Sequence, residues 1–558
     1  MERSHPARTA TVATLATSGA VALLAARPDS PFTPYLHPTD GAARLLTAPA
    51  EWLGLDGLSR DVAAGLGAVL LVLAAAAFVY AARQAWAGRL SVRRVIWVGV
   101  GLHVLALLVP LFLSRDVYSY AFYGRMVSEY GVNPYTHVPG EFLRDPFYVV
   151  VSHFWIDSPS VYGPAFSALA AGVTAAVSGI AATVKAFKLL AVLASVATML
   201  VVVAAARRVR PERAALAGLL VGWNPVILWH NAAGGHNDAL VGLAVAGAAL
   251  LLLTRRDLLA TAVLTLGALV KMSAAVPLLM LLAGSVTSRP RGRRVSWAAA
   301  HAGVIALVGL PFVVPFFSLE DPTMGQLELS TRQGWLAPSR FLVVTLRGLV
   351  RAVLGETAGD VTSAVIRIAF PLVLLAALWA IGRHLARRRE GVARERTVAA
   401  MGWATLLAMM MAPLLLPWYA AWVVPLAWLL PKPARVGAIF LSVALVITEL
   451  MSEPTRSPRL WEAMVIWLHW VATPIVLAVL VRMLLELRRR LRAGGEPLLD
   501  EPSALRSRLL GAIDRLVSGP GEEVAGDGQG AGDRHPGGDP EPGAVGEQGR
   551  EDRQAQPR

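Results

Sequence analysis

At 558 residues the chain is 55% hydrophobic and only 16% charged, with a mean hydropathy of +0.54. A soluble protein carries about 25% charged residues. Here charge has been cleared from apolar runs of about 16–26 residues, the length that crosses roughly 30 Å of hydrocarbon, which excludes a soluble multidomain protein. The net charge of +14 does not point to nucleic acid, because Arg and Lys fall in short clusters between the apolar runs. Such clusters mark cytoplasmic loops. With no cysteine, disulfides, thiolate metal sites and Cys nucleophiles are excluded.

In chain order, a first apolar run near 9–26 resembles a signal peptide. Its flank, Arg27-Pro28-Asp29-Ser30-Pro31, offers no small-residue cleavage site, so a retained helix is expected. Helices near 61–86 and 95–113 follow and bring the chain out at Ser114. Residues 115–183 read as one long extracytoplasmic loop, with 163–182 a short, partly embedded helix. Further spans are expected near 184–206, 214–230 and 239–254. The stretch 258–287, basic at both ends, reads as two half-depth helices with Lys271 near the tip. Spans near 296–317, 361–382, 397–416, 418–430, 435–451 and 462–487 complete an all-α, polytopic bundle of about fourteen membrane segments, with both termini cytoplasmic. Residues 1–94 form N-terminal membrane helices, 95–490 the membrane core and 491–558 a cytoplasmic tail. Beyond about Gly519 the tail is too poor in apolar residues to fold. Leu505, Leu509, Ile513 and Leu516 make a short amphipathic stripe that reads equally as a membrane-surface helix or a solvated one.

The long loop opens on Ser114-Arg115-Asp116. Ser114 as N-cap and Gly131 beyond the C-terminus bracket an amphipathic helix of about fifteen residues. On it, Asp116, Tyr120, Tyr123 and Val127 share a face. One carboxylate beside two phenols suits a general base in a sugar site; the plainer alternative is that Asp116 only favours the helix dipole. A second polar turn, Trp223 to Asp238, holds His230, Asn231, Gly234, Gly235, His236, Asn237 and Asp238. Hydrogen bonding to substrate, loop structure and metal ligation all stand open for it, with no firm metal geometry. Lys271 is a lone lysine in an apolar run, either a cation for a lipid-linked phosphate or a snorkelling side chain. Lys185, Lys188 and Arg332 are weaker candidates of the same kind. Trp418 and Tyr419, with Trp422, read as a binding wall or an interfacial belt.

These residues resemble a known family. Arg115-Asp116-Val117-Tyr118-Ser119-Tyr120-Ala121-Phe122-Tyr123-Gly124-Arg125-Met126, Asn133-Pro134-Tyr135 and Tyr162-Gly163-Pro164 look like the actinobacterial polyprenol-phosphate-mannose-dependent α-1,6-mannosyltransferases. Asn224-Pro225, Gly235-His236-Asn237-Asp238 and Leu416-Pro417-Trp418-Tyr419 agree, so the resemblance covers roughly 60–490. It implies a GT-C membrane glycosyltransferase in the plasma membrane with an extracytoplasmic site. It implies a polyprenyl-phosphate-mannose donor, a lipid-anchored glycan acceptor such as a lipomannan precursor, and inverting transfer. Asp116 alone matches the acidic residue that such enzymes carry on the first outer loop. Tyr120, Tyr123, Arg125, His236, Asn237, Asp238, Lys271, Arg332, Trp418 and Tyr419 are the expected substrate-binding set. No metal ligands and no cofactor are assigned, a divalent cation being left open. The soluble sugar-binding C-terminal domain of some relatives is not expected.

Two other classes compete: a lipid-linked-glycan flippase or transporter, and a non-catalytic scaffold in envelope assembly. A transporter should show inverted repeats and paired broken helices. Neither is visible, and the polar residues gather at one membrane face.

Overall fold

The computed structural model describes residues 5–34, 41–319, 321–324, 334, 336–387, 393–449, 458–492 and 498–499. Every regular element among them is helical. The described part of Met1–Glu501 forms one compact unit. The tail from 502 onward, including the amphipathic stripe and the stretch beyond Gly519, lies outside the described residues, as does Arg332.

Among the described residues six helices are long and apolar enough to cross a membrane: His5–Ala26, Arg60–Trp86, Ile180–Val209, Arg291–Phe316, Glu356–Arg387 and Trp461–Leu491. A pair bent by 118°, Val226–Ala233 and Asp238–Leu253, makes a seventh if taken as one span. The expected count of about fourteen therefore rests on shorter, broken or more polar segments. Pro164–Ala176 has 13 residues, about 20 Å at 1.5 Å per residue, too short for a full crossing.

Local sequence explains where the helices start and stop. Ser59 and Ser91 accept hydrogen bonds from the Val62 and Arg94 N–H groups, capping Arg60–Trp86 and Val92–Leu108. The second of these ends at Leu108, not near 113, because Pro110 forces Val109 into an extended conformation (ψ 147°). Lys188 donates to the carbonyls of Leu107, Val109 and Pro110 at that end. This weaker sequence candidate thus satisfies a helix C-terminus.

Proline also corrects two of the expected spans. The run 214–230 does not continue as one helix: Ala214–Gly222 stops before Asn224-Pro225, and a π-helical turn, Val226–Ala233, follows. The run 418–430 is not a span either. Pro417 opens a 3-10 turn (Pro417–Tyr419), and Pro425 sits in another (Val424–Leu426) around the four-residue helix Ala420–Val423. All of these residues are buried.

The first helix packs along Arg60–Trp86. The segment that follows it reaches the core, where Phe32 stacks on Phe112 with ring centroids 5.3 Å apart. The Phe32 carbonyl accepts the Leu113 N–H at 2.7 Å. The N-terminal segment thereby supports the strand of chain that leads into Asp116.

Candidate active site

Asp116 is the first residue of the helix Asp116–Ser128. The N-cap position falls on Arg115, and Ser114 Oγ instead accepts the Asp116 N–H at 3.1 Å. The cap role expected of Ser114 is thus shifted by one residue. It also leaves the Asp116 carboxylate free to turn elsewhere, toward His236 Nδ1 at 3.6 Å. The helix is not amphipathic in its setting: every residue from Val117 to Gly124 is buried.

The Trp223–Asp238 turn is built to reach this helix end. Asn224 Oδ1 accepts the Val226 N–H and starts the π turn, while the Trp223 indole donates to the Val95 carbonyl at 2.9 Å. Gly235 adopts φ +68°, and a Cβ there would lie 2.8 Å from Val117 Cγ2. Only glycine combines that conformation with so close an approach. It brings His236, Asn237 and Asp238 against the start of the Asp116 helix.

His236 lies flat on Trp418, with centroids 3.8 Å apart and planes 15° apart. Its Nδ1 is 3.3 Å from the Tyr120 hydroxyl, which is also within 3.5 Å of Asn237 Oδ1. Burial, then the nearby Asp116 and Asp238 carboxylates, holds the Tyr120 phenol well above its usual pKa. Tyr120 therefore stays protonated and donates. His236 Nε2 and Asn237 Nδ2 are buried with no hydrogen-bond partner among the described residues. Such groups are costly unless something polar meets them.

Lys271 sits at a break. Asp257–Val270 ends on it, and it is extended (φ −156°, ψ 128°) before the 3-10 turn Met272–Ala274 and the helix Ala275–Thr287. This is the pair of short helices with the lysine at the tip that the charge pattern predicts. Gly163 fixes the break from outside: its N–H donates to the Val270 carbonyl at 3.0 Å, and a Cβ on it would lie 2.1 Å from the Leu269 oxygen. Lys271 Nζ contacts both Asp238 oxygens at 3.0 Å. It also lies 4.7 Å above the Tyr419 ring and 5.6 Å from the Trp422 ring. The Trp422 indole donates to Asp238 Oδ1 at 2.6 Å. Lys271, Tyr419 and Trp422 line a cavity of about 250 Å³.

Burial raises the Asp116 pKa to about 7, although its side chain keeps 17% of its exposure. The Lys271 cation opposes this, Glu449 and Asp238 reinforce it, and a hydrogen bond from Trp155 opposes it. A carboxyl group so placed exchanges its proton near neutrality, as a general base must.

The structure thus gathers Asp116, Tyr120, His236, Asn237, Asp238, Lys271, Trp418 and Tyr419. It does not gather all of the expected set. Tyr123 borders the group but donates its hydroxyl to the Ser158 carbonyl at 2.9 Å. Arg125 points away, with Nε 2.9 Å from Asp145, NH1 3.6 Å from Glu129, and its guanidinium over Phe147. His230 also turns away, to the Val446 carbonyl at 2.8 Å. Among the described residues no three His, Asp or Glu side chains stand close enough to share a metal. Trp155, Trp422 and Glu449 reach the centre without having been singled out as site residues. Only Trp422 carried a signal, as part of the aromatic patch after Pro417.

A family described as "Alpha-(1->6)-mannopyranosyltransferase, N-terminal domain" matches residues 30–287, a region that contains Asp116, the 223–238 turn and Lys271. The match covers just under half of the chain. Alpha-(1->6)-mannopyranosyltransferase B of Corynebacterium glutamicum is 26% identical over 368 residues, 61% of this chain and 59% of that protein. Alpha-(1->6)-mannopyranosyltransferase A of Mycobacterium tuberculosis is 27% identical over 487 residues, 83% of this chain and 87% of that protein. The namesake A enzyme of Corynebacterium glutamicum is 29% identical over 256 residues, 43% of this chain and 51% of that protein. The chain thus spans little more than half the length of the two Corynebacterium relatives. No solved structure matches it significantly.

Proposed function

We propose that this protein belongs to the same family and is a membrane mannosyltransferase that moves mannose from a polyprenyl-phosphate donor to a lipid-anchored mannan acceptor, forming an α-1,6 linkage with inversion. The observation that carries the reading is the convergence of Asp116, the His236-Asn237-Asp238 turn, Lys271 and Trp418-Tyr419 from four separate stretches of chain. The reading places the site on the extracytoplasmic side of the plasma membrane and both termini inside, in keeping with the Arg clusters.

In this scheme the acceptor hydroxyl attacks the anomeric carbon as the bond to the donor phosphate oxygen breaks. The acceptor proton passes to Asp116 and polyprenyl phosphate leaves. An oxocarbenium-like transition state makes base assistance worth about 10²–10⁴-fold. Lys271 faces the departing phosphate charge, with its ammonium group held by Asp238, whose carboxylate also accepts the Trp422 indole N–H. His236 Nε2 and Asn237 Nδ2 are free to meet sugar hydroxyls, and the Trp418 and Tyr419 rings offer apolar surface to sugar C–H faces.

Purified full-length protein is to be incubated with labelled polyprenyl-phosphate mannose, polyprenyl-phosphate glucose and a lipid-anchored mannan. Transfer from the mannose donor alone, with α-1,6-mannosidase-sensitive product, supports the scheme. Transfer from the glucose donor only, or from neither, refutes it.

A further inference from the structure

Away from the candidate site, an apolar groove of about 590 Å³ runs between Arg60–Trp86, Lys432–Leu445 and the Trp461–Leu491 helix. Val72, Val79, Phe440, Leu441, Trp467 and Ile475 are among its walls. Tyr80 and Arg83, at one end, bring a hydroxyl and a guanidinium to it, and the Trp467 indole is its other polar side chain. From Val72 to Arg83 is eleven residues of one helix, about 16 Å at 1.5 Å per residue. That matches the depth of one leaflet, half of a hydrocarbon core of roughly 30 Å.

The polar end has the chemistry of a headgroup layer. Arg83 is exposed, and no ion pair or hydrogen bond of its guanidinium occurs among the described residues. One turn further on, the half-exposed Trp86 ring is flanked by two arginines, with Arg213 Cζ at 4.8 Å and Arg435 Cζ at 4.1 Å. Tryptophan at this level marks a membrane interface, and the basic residues Arg89, Arg93 and Arg94 follow directly in sequence. A cluster of this kind belongs to the leaflet that carries anionic lipid.

We propose that the groove binds an anionic glycerophospholipid of the cytoplasmic leaflet, one acyl chain lying along Val72–Val79 and the phosphate meeting Arg83. The match of groove length to leaflet depth and the unpaired cation at the headgroup end together select this occupant over a neutral lipid or a peptide. The groove's far end is lined by Leu445 and Ile447, the neighbours of Val446, whose carbonyl holds His230. A seated chain would therefore brace the π turn that carries the His236-Asn237-Asp238 group. The site stands whether or not the enzyme transfers mannose.

The test is thermal unfolding of the full-length protein in neutral detergent, titrated with phosphatidylglycerol, phosphatidylcholine or inorganic phosphate. The expected result is saturable stabilisation by phosphatidylglycerol and little by the other two. Arg83→Gln should weaken the apparent affinity ~5-fold, the effect of one basic residue at an anionic surface, without lowering the melting temperature of the lipid-free protein. Ala76→Phe, which fills the groove, should remove the response while Arg83 is intact. Equal stabilisation by both lipids, or an unchanged phosphatidylglycerol response in both variants, overturns the proposal. So does a response lost in Arg93→Gln but not in Arg83→Gln, which would place the lipid on the general basic surface.

Discussion

At the scale of single residues, the balance of charge around Asp116 makes a pH dependence that can be read directly. Burial lifts its pKa to about 7, and Lys271 is the largest opposing influence. A base must be ionised, so kcat/KM should climb about tenfold per pH unit below 7 and level off above it. Removing the opposing cation in Lys271→Met leaves Asp116 harder to ionise, so the rising limb should move to higher pH. Initial rates at subsaturating donor between pH 5 and 9 measure this. A limb that stays in place in Lys271→Met would separate the titrating group from Asp116. The sequence made Asp116 and Lys271 visible because each is an ionisable group at the edge of an apolar run. It did not reveal that Lys271 is held by Asp238, since a contact 33 positions away leaves no local pattern. Arg125 fitted the motif equally well and yet serves Asp145, because a helix position fixes a face but not what stands opposite it.

Among elements, the short segments matter more than the long spans. Tyr162-Gly163-Pro164 docks on the end of Asp257–Val270 and so sets where Lys271 emerges. Gly163 has an ordinary φ of −72°, which alanine tolerates, but a Cβ 2.1 Å from the Leu269 oxygen would push the two segments apart. Gly163→Ala should therefore cost about 1–3 kcal/mol by overpacking and raise the KM for the donor more than it lowers kcat. Thermal unfolding and steady-state kinetics check both halves; a variant with native stability and native KM would show that this contact does not position Lys271. The long apolar helices were legible from hydropathy, and the break at Lys271 from its flanking charges. The interrupted run after Pro417 was not: its composition is that of a span, and only the placement of Pro417 and Pro425 within a buried packing shows why it folds as short turns.

For the whole molecule, four stretches of chain must meet on one side of the membrane. The Arg clusters predict that side to be extracytoplasmic, so a reporter fused at Asp145 should register outside and one at Arg387 inside. The opposite pattern would place the candidate site in the cytoplasm. The most direct measurement is the transfer rate of purified Asp116→Asn from polyprenyl-phosphate mannose to a lipid-anchored mannan. The cap bond to the Asp116 N–H comes from Ser114, and asparagine suits a helix start as well as aspartate does. The variant should therefore express and melt like the parent while losing proton-accepting power. The account predicts a rate lower by about 10²–10⁴-fold; transfer at the parent rate would contradict it.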